Sequence, residues 1–66
     1  MSDLFDHRAV PLHRQIAAAE REVRQRERVY PRLVERGRMR PETARDEIEA
    51  MKAIAATLKT IQTGKD

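Results

Sequence analysis

Five arginines recur at helical spacing and form the most regular polar pattern in this chain. They follow one another at steps of three, four, four and four residues, at Arg21, Arg24, Arg28, Arg32 and Arg36. We call this set the arginine stripe, because residues three or four apart are neighbours on one face of an α-helix. Guanidinium groups bind phosphates and carboxylates, so the stripe is suited to nucleic acid or to an acidic protein. The alternative is a solvated face with helical ion pairs, Glu20 with Arg24 and Arg32 with Glu35.

The other residues capable of chemistry do not favour catalysis. His7 and His13 share no metal-ligand spacing with carboxylates, and the chain has no cysteine nucleophile, no glycine-rich phosphate loop and no Ser-His-Asp set. Asp46, Glu47 and Glu49 have basic neighbours on a face expected to be exposed, where raised carboxyl pKa values are not expected. We therefore expect a protein that is not an enzyme and that binds no metal or cofactor.

Two residues of the first half each allow two interpretations. Arg26 interrupts an apolar seam and either extends its head group to solvent or fixes the helix pairing. Its partner would be Glu22 on the same helix or an acid across a dimer. Tyr30, next to Pro31, either anchors a binding partner or fills the core near the turn, and we favour the second role.

Apolar residues repeat at alternating steps of four and three on both sides of Gly37, the period of packed helices. The first seam holds Leu12, Ile16, Ala19, Val23, Tyr30 and Leu33, and the second holds Ala44, Ile48, Met51, Ala55 and Leu58 with Ile54 and Ile61 beside it.

Prolines and glycines mark the ends of the two predicted helices. Pro11 suits the first position of a helix, Gly37 a left-handed residue after a helix, and Pro41 a second start. Pro31 lies inside the first helix and predicts a kink there. The predicted fold is an all-α, two-helix antiparallel hairpin over residues 11–63. Its parts are a mobile N-terminal arm at 1–10, a helix at 11–36, a turn at 37–40, a helix at 41–62 and a tail at 64–66. Val23 is expected beside Ala55.

The size and composition of the chain favour association. The sequence has 66 residues, of which 39% are hydrophobic, and no cysteine for a disulfide. A core of this size rarely stabilises a chain unaided. The apolar face is also wider than one partner helix needs, so we predict a homodimer in the form of a four-helix bundle. The residues predicted for the core and dimer contacts are Ile16, Val23, Tyr30, Leu33, Ile48, Met51, Ile54, Leu58 and Ile61.

The charge and hydropathy patterns bear on location. The formal net charge is +3, and residues 1–40 carry ten arginines against six acids. No run of about 18 apolar residues is present, so the sequence predicts no membrane span. The acidic N-terminus lacks an apolar signal region, which argues against secretion. We expect a cytoplasmic protein.

Four segments between residues 15 and 60 carry a resemblance. They are Glu-Arg-Glu-Val at 20–23, Arg-Val-Tyr-Pro-Arg-Leu-Val at 28–34, Gly-Arg-Met at 37–39 and Ala-Arg-Asp-Glu-Ile-Glu-Ala-Met at 44–51. The combination resembles a group of small uncharacterised phage, prophage and proteobacterial proteins with a tyrosine-proline pair and a glycine-basic-methionine turn. Arg40-Pro41-Glu42 departs from the threonine-led cap expected there. The resemblance implies a phage-type accessory origin and assigns no activity and no functional residues.

The sequence thus predicts a non-enzymatic accessory protein that binds a larger host or phage protein, and modulates it, through the arginine stripe. If the chain is phage-encoded, it would act in the host cytoplasm. One alternative is an accessory nucleic-acid-binding protein that uses the same stripe, and another is a structural subunit of a larger assembly.

Overall fold

The computed structural model describes residues 10–64, and these form two packed helices. Helix α1 covers Leu12–Glu35 and helix α2 covers Pro41–Thr63, and residues 10–64 contain no strand. The predicted all-α hairpin is confirmed at this level. The helix ends differ from the predicted 11–36 and 41–62 by at most one residue. Apart from Val10 and Gly64, the predicted arm and tail lie outside the described residues.

The first helix begins one residue later than predicted. Pro11 has φ −59° and ψ 150°, so it is the N-cap and not the first helical residue. Its carbonyl accepts hydrogen bonds from the backbone N–H groups of Arg14 (3.0 Å) and Gln15 (3.1 Å). The Gln15 side chain donates to the Val10 carbonyl at 2.9 Å. These contacts fix the entry of the chain into α1 without a side-chain cap.

In the turn between the helices, Gly37 has the left-handed conformation that the sequence predicts. Gly37 has φ +74°, and its N–H donates to the Val34 carbonyl at 3.0 Å. The N–H of Arg38 donates to the Leu33 carbonyl at 2.8 Å. This pair of hydrogen bonds is the Schellman motif, which satisfies carbonyls at a helix end and requires a left-handed residue. The chain then enters α2 through Arg40 as N-cap, with Pro41 at the first helical position.

Helix α1 continues through Pro31. The helical assignment is unbroken over its 24 residues, so residues 31–35 belong to α1. Proline has no N–H to donate to the carbonyl four residues earlier, which is that of Glu27. Helix α1 therefore lacks this one backbone hydrogen bond, and a bend at residue 31 stays a prediction.

The core between the helices is thin. Only four described side chains are buried, namely Ile16, Ala19, Ala44 and Ala55, and no side chain of residues 10–64 is completely buried. Of the predicted core and dimer residues, Ile16 alone is in this group. Val23, Tyr30, Leu33, Ile48, Met51 and Leu58 are half-buried. Ile54 and Ile61 are 49% and 59% exposed, so they lie outside the core of the hairpin.

Two ion pairs define the antiparallel register. Lys59 pairs with Glu20, and Lys52 lies 3.5 Å from Glu27. From the first pair to the second, the residue number rises by seven in α1 and falls by seven in α2, as two antiparallel helices require. Val23 and Ala55 line one groove between the helices, as the predicted register requires.

Candidate interaction surfaces

The arginine stripe lies on the solvent-exposed side of α1, where Arg21 and Arg24 also line the two open grooves beside α2. All five of its side chains are exposed, whereas Ile16 and Ala19 on the opposite side are buried. Four of the arginines are in α1, and Arg36 is its C-cap residue, whose N–H donates to the Arg32 carbonyl at 3.1 Å. The cationic Arg32 in the last turn interacts favourably with the negative end of the helix dipole. The surface is therefore formed by one regular element.

None of the five stripe arginines has an ion pair or a side-chain hydrogen bond with any residue of 10–64. The expected pairs of Glu20 with Arg24 and of Arg32 with Glu35 are not formed. Glu20 instead pairs with Lys59 of α2. The ion pairs expected in the solvated-face interpretation are therefore absent, although the five side chains are exposed to solvent as that interpretation requires. The stripe is a row of positive charges without an ion pair within the described chain.

Sequence reasoning missed a sixth arginine on this face. Arg14 lies seven residues before Arg21, which is close to two helical turns, and its side chain is exposed and equally unpaired among residues 10–64. The signal was the seven-residue spacing from Arg14 to Arg21 and from Arg21 to Arg28. With Arg14 included, the cationic face runs from residue 14 to residue 36, roughly 33 Å at 1.5 Å per residue.

Arg26, the polar member of the seam, joins the two helices. Its Nε donates to Glu22 Oε2 at 2.9 Å, and its Nη1 donates to the Glu47 backbone carbonyl at 2.8 Å and lies 3.4 Å from Glu47 Oε1. Its guanidinium carbon lies 5.8 Å from the centre of the Tyr30 ring, a cation–π distance. The hydrogen bond to Glu22, aided by nearby Tyr30 and Glu47, raises the pKa of Arg26 above its usual value, although burial acts to lower it. The acidic residue that Arg26 contacts on the other helix is Glu47 of the same hairpin.

The two open sides of the hairpin differ in character. On one side, charged groups bridge the helices: Lys59 pairs with Glu20, and Lys52 lies 3.5 Å from Glu27. Lys52 also lies 3.6 Å from Glu49 of its own helix. We call this side the ion-pair flank. These groups are 36–64% exposed, so each contact is worth only about 0.2–1 kcal/mol.

The other side is an open apolar groove of about 550 Å³, which we call the apolar flank. Its lining includes Ala17 and Ala18 of α1 and Met51, Ile54 and Leu58 of α2. Arg14 and Arg21 of the cationic face stand at its edge. An open apolar groove of this kind suits another helix better than a small molecule, because it encloses no ligand.

The described residues offer no cluster for metal chemistry and no membrane-spanning helix. Residues 10–64 contain no group of three or more His, Cys, Asp or Glu side chains that could hold a metal ion. In the same part of the chain, neither helix is long and apolar enough to cross a membrane. The candidate sites are therefore surfaces: the cationic face of α1 and the apolar flank.

Comparison with protein-family models, with curated proteins and with solved structures found no match to this chain.

Proposed function

We propose that this protein works by binding, as a homodimeric accessory protein that docks an acidic surface of a larger protein through the arginine stripe. The observation that carries the proposal is the unpaired state of the stripe. Five exposed arginines at helical spacing have no ionic partner among residues 10–64, although Glu22, Glu27 and Glu35 lie on the same helix. A partner with carboxylates would supply the missing charge through bidentate contacts. We place this activity in the cytoplasm, of the host cell if the chain has the phage-type origin that its resemblance implies.

A second candidate function is nucleic-acid binding by the same face. The addition of Arg14 favours it, because six unpaired arginines along roughly 33 Å of helix can follow a row of phosphates. The major groove of DNA is about 12 Å wide and admits one α-helix. However, neither Phe5 nor Tyr30, the two aromatic residues of the chain, belongs to the stripe, so bases would find no aromatic side chain there to stack on. We therefore rank this function second.

Charge reversal within the stripe tests both candidates. The variant Arg28→Glu/Arg32→Glu should lose a partner that the unmodified protein captures from the cells that produce it. The matched control is Arg38→Glu/Arg45→Glu, which changes the net charge equally at exposed positions outside the stripe. The captured protein is then identified and purified, and its affinity for the three forms is measured by titration. Equal capture by the two variants would rule out the stripe as the docking surface.

A gel-shift series with duplex DNA and with RNA separates the two candidates. Counterion release makes binding to phosphates fall steeply with salt, by about 10³-fold or more between 50 and 200 mM for six contacts. A shift at 50 mM that follows this slope, and that Arg28→Glu/Arg32→Glu abolishes, would make nucleic acid the partner. No shift at 50 mM would remove the second candidate and leave the protein-binding proposal in place.

A further inference from the structure

Residues 1–9 join the described chain at one end of the apolar flank. The backbone bends at Val10, and this residue lines the groove together with Ala17 and Ala18 of α1. The Gln15 side chain donates to the Val10 carbonyl at 2.9 Å, which holds Val10 against the first turn of the helix. Residues 1–9 lie outside the described part of the chain, and their point of attachment is therefore part of the wall of an open apolar groove.

Two arginines stand at the edge of this groove. Arg14 and Arg21 line it, are exposed, and form no ion pair or side-chain hydrogen bond with any residue of 10–64. They are seven residues apart on one helix, which separates their Cα atoms by roughly 10 Å along the axis at 1.5 Å per residue. The groove thus combines an apolar lining with two unpaired positive charges at a defined spacing.

The sequence of residues 3–6, which we call the acidic segment, is complementary to this arrangement. It reads Asp-Leu-Phe-Asp, so two carboxylates enclose a leucine and the only phenylalanine of the chain. Asp3 and Asp6 are three residues apart, and an extended backbone spans about 10 Å over three residues. The spacing of the acids matches that of the two groove arginines. Because arginine is long and flexible, its guanidinium can meet a carboxylate on either side of such a segment.

The chain between the acidic segment and the groove is long enough for contact. Asp6 is four residues from Val10, and a stretch of that length reaches up to about 14 Å. Arg14 lies in the first turn of α1, whose length is only about 5 Å. After the bend at Val10, the acidic segment can therefore run back along the groove in the direction opposite to α1, so that Asp6 meets the first arginine and Asp3 the second.

We propose that the acidic segment binds in the apolar flank of its own hairpin, with Asp6 at Arg14 and Asp3 at Arg21. The leucine and the phenylalanine between the two acids then cover the alanines of the α1 wall. The occupant is part of the chain itself, so this interaction goes beyond the proposed partner binding and does not depend on it.

This position leaves the other proposed surfaces accessible. The residues that hold the segment are on α1, so the exposed Ile54 and Ile61 of α2 stay available for the association proposed above. Arg28, Arg32 and Arg36 lie farther along the helix than the groove and stay available for an acidic partner.

Pairs of cysteines test the position directly, because the chain has none of its own. Leu4→Cys or Phe5→Cys is combined with Ala18→Cys, and each chain is oxidised at low micromolar concentration. A disulfide needs Cα atoms about 4–7 Å apart. We expect at least one of the two pairs to lose both free thiols while it keeps the mass of a single chain on a non-reducing gel. In the matched controls, Ala56→Cys on the ion-pair flank replaces Ala18→Cys, and both thiols should stay free.

Tryptophan fluorescence supplies the second measurement, because the chain has no tryptophan. In Phe5→Trp the indole should be shielded from acrylamide, since an apolar groove excludes water and polar quenchers. Adding Ala18→Glu, or the charge reversal Arg14→Glu/Arg21→Glu, should raise the quenching constant about twofold, because each change opposes the binding of an acidic apolar segment. Ala56→Glu, the matched control on the other flank, should leave it unchanged.

Exchange of the charges separates specific pairing from a loss of folding. Asp3→Arg/Asp6→Arg, added to the reversed groove, should return the quenching constant to the value of Phe5→Trp alone. A constant that stays high, with helix content retained by circular dichroism, would overturn the pairing of the two acids with the two arginines. Absence of the intrachain disulfide in both pairs, or equal cross-linking in the controls, would overturn the position of the segment. Disulfide-linked dimers would show that the groove of a second copy is occupied and would overturn binding within one hairpin.

Discussion

At the scale of single residues, Arg26 differs from the stripe arginines although all lie on α1. Arg26 faces α2 and holds Glu22 and Glu47, and its side chain is only 20% exposed. The stripe arginines are exposed to solvent and form no ion pair or side-chain hydrogen bond with residues 10–64. The raised pKa of Arg26 keeps it charged across the whole accessible pH range, so its own titration adds no pH dependence to stability near neutrality. The position on the helix, and not the residue type, separates a structural arginine from one that is available to a partner.

We expect Arg26→Ala to lower the thermal midpoint clearly, because it removes the contacts with Glu22, with the Glu47 carbonyl and with the Tyr30 ring. Arg24→Ala is the control: it has the same chemistry on the same helix, with an exposed and unpaired side chain. The measurement is thermal unfolding followed by circular dichroism at one fixed concentration. An equal loss in the two variants would contradict the bridging role of Arg26.

Gly37 gives a second residue-scale prediction. An added Cβ would meet no atom within 4 Å, so the cost of Gly37→Ala is conformational alone and comes from the φ of +74°. We expect a loss of about 1–2 kcal/mol in the free energy of unfolding, measured by urea denaturation. Gly64→Ala, with φ +71° and similarly open surroundings, should cost less because it ends a helix near the fraying terminus. A larger loss at position 64 would argue against the turn as the sensitive point.

At the scale of elements, the two helices differ in the side chains that they expose. Helix α1 is strongly amphipathic, with one apolar side against α2 and one cationic side towards solvent. Helix α2 is apolar on its inward side, and its exposed positions combine the acids Glu42, Asp46 and Glu49 with small residues and with the apolar Ile54 and Ile61. Each helix therefore offers a different kind of surface: α1 a row of exposed arginines, and α2 exposed isoleucines beside exposed acids.

Pro31 gives a prediction for α1. Pro31→Ala restores a backbone donor to the Glu27 carbonyl and removes the ring clash, so we expect stability to rise by up to about 3 kcal/mol. The same variant should change partner affinity if a bend at residue 31 shapes the stripe, because Arg32 and Arg36 follow it. Both quantities are measured on one preparation, by urea denaturation and by titration with the captured partner. Unchanged or lower stability would show that the hairpin already compensates for the missing hydrogen bond.

At the scale of the whole molecule, a hairpin with one buried isoleucine and three buried alanines has little apolar burial to offset chain entropy. Burial of a large aliphatic side chain contributes about 1.5–3 kcal/mol, whereas alanine contributes far less. Ile54 and Ile61 are the most exposed large apolar side chains among the described residues, and the proposed association would cover them.

Folding coupled to association predicts a midpoint that depends on concentration. We expect the thermal midpoint of the unmodified chain to rise between 1 and 100 µM, because mass action favours the associated folded state. Ile54→Glu should remove most of this dependence. A midpoint that is constant over this range, at a mass of 7.7 kDa, would show that the hairpin is stable alone.

The sequence by itself determined the two helices, their antiparallel order and the turn at Gly37, because these follow from local causes: apolar periodicity, proline at a helix start and glycine in a left-handed conformation. It also determined that the arginines of the stripe share a face, since helical geometry alone places them together.

Only the tertiary structure decided which charges meet. The pattern allowed Glu20 to pair with Arg24, but Lys59 of α2 takes Glu20 instead, and Arg26 reaches Glu47, which lies 21 residues away in sequence. Such choices depend on distances between helices, and periodicity within one helix carries no information about them. The same holds for burial: the sequence places Ile54 beside the seam of Met51 and Leu58 and predicts all three for the core and dimer contacts, and only the packing of α1 decided that Ile54 is left 49% exposed.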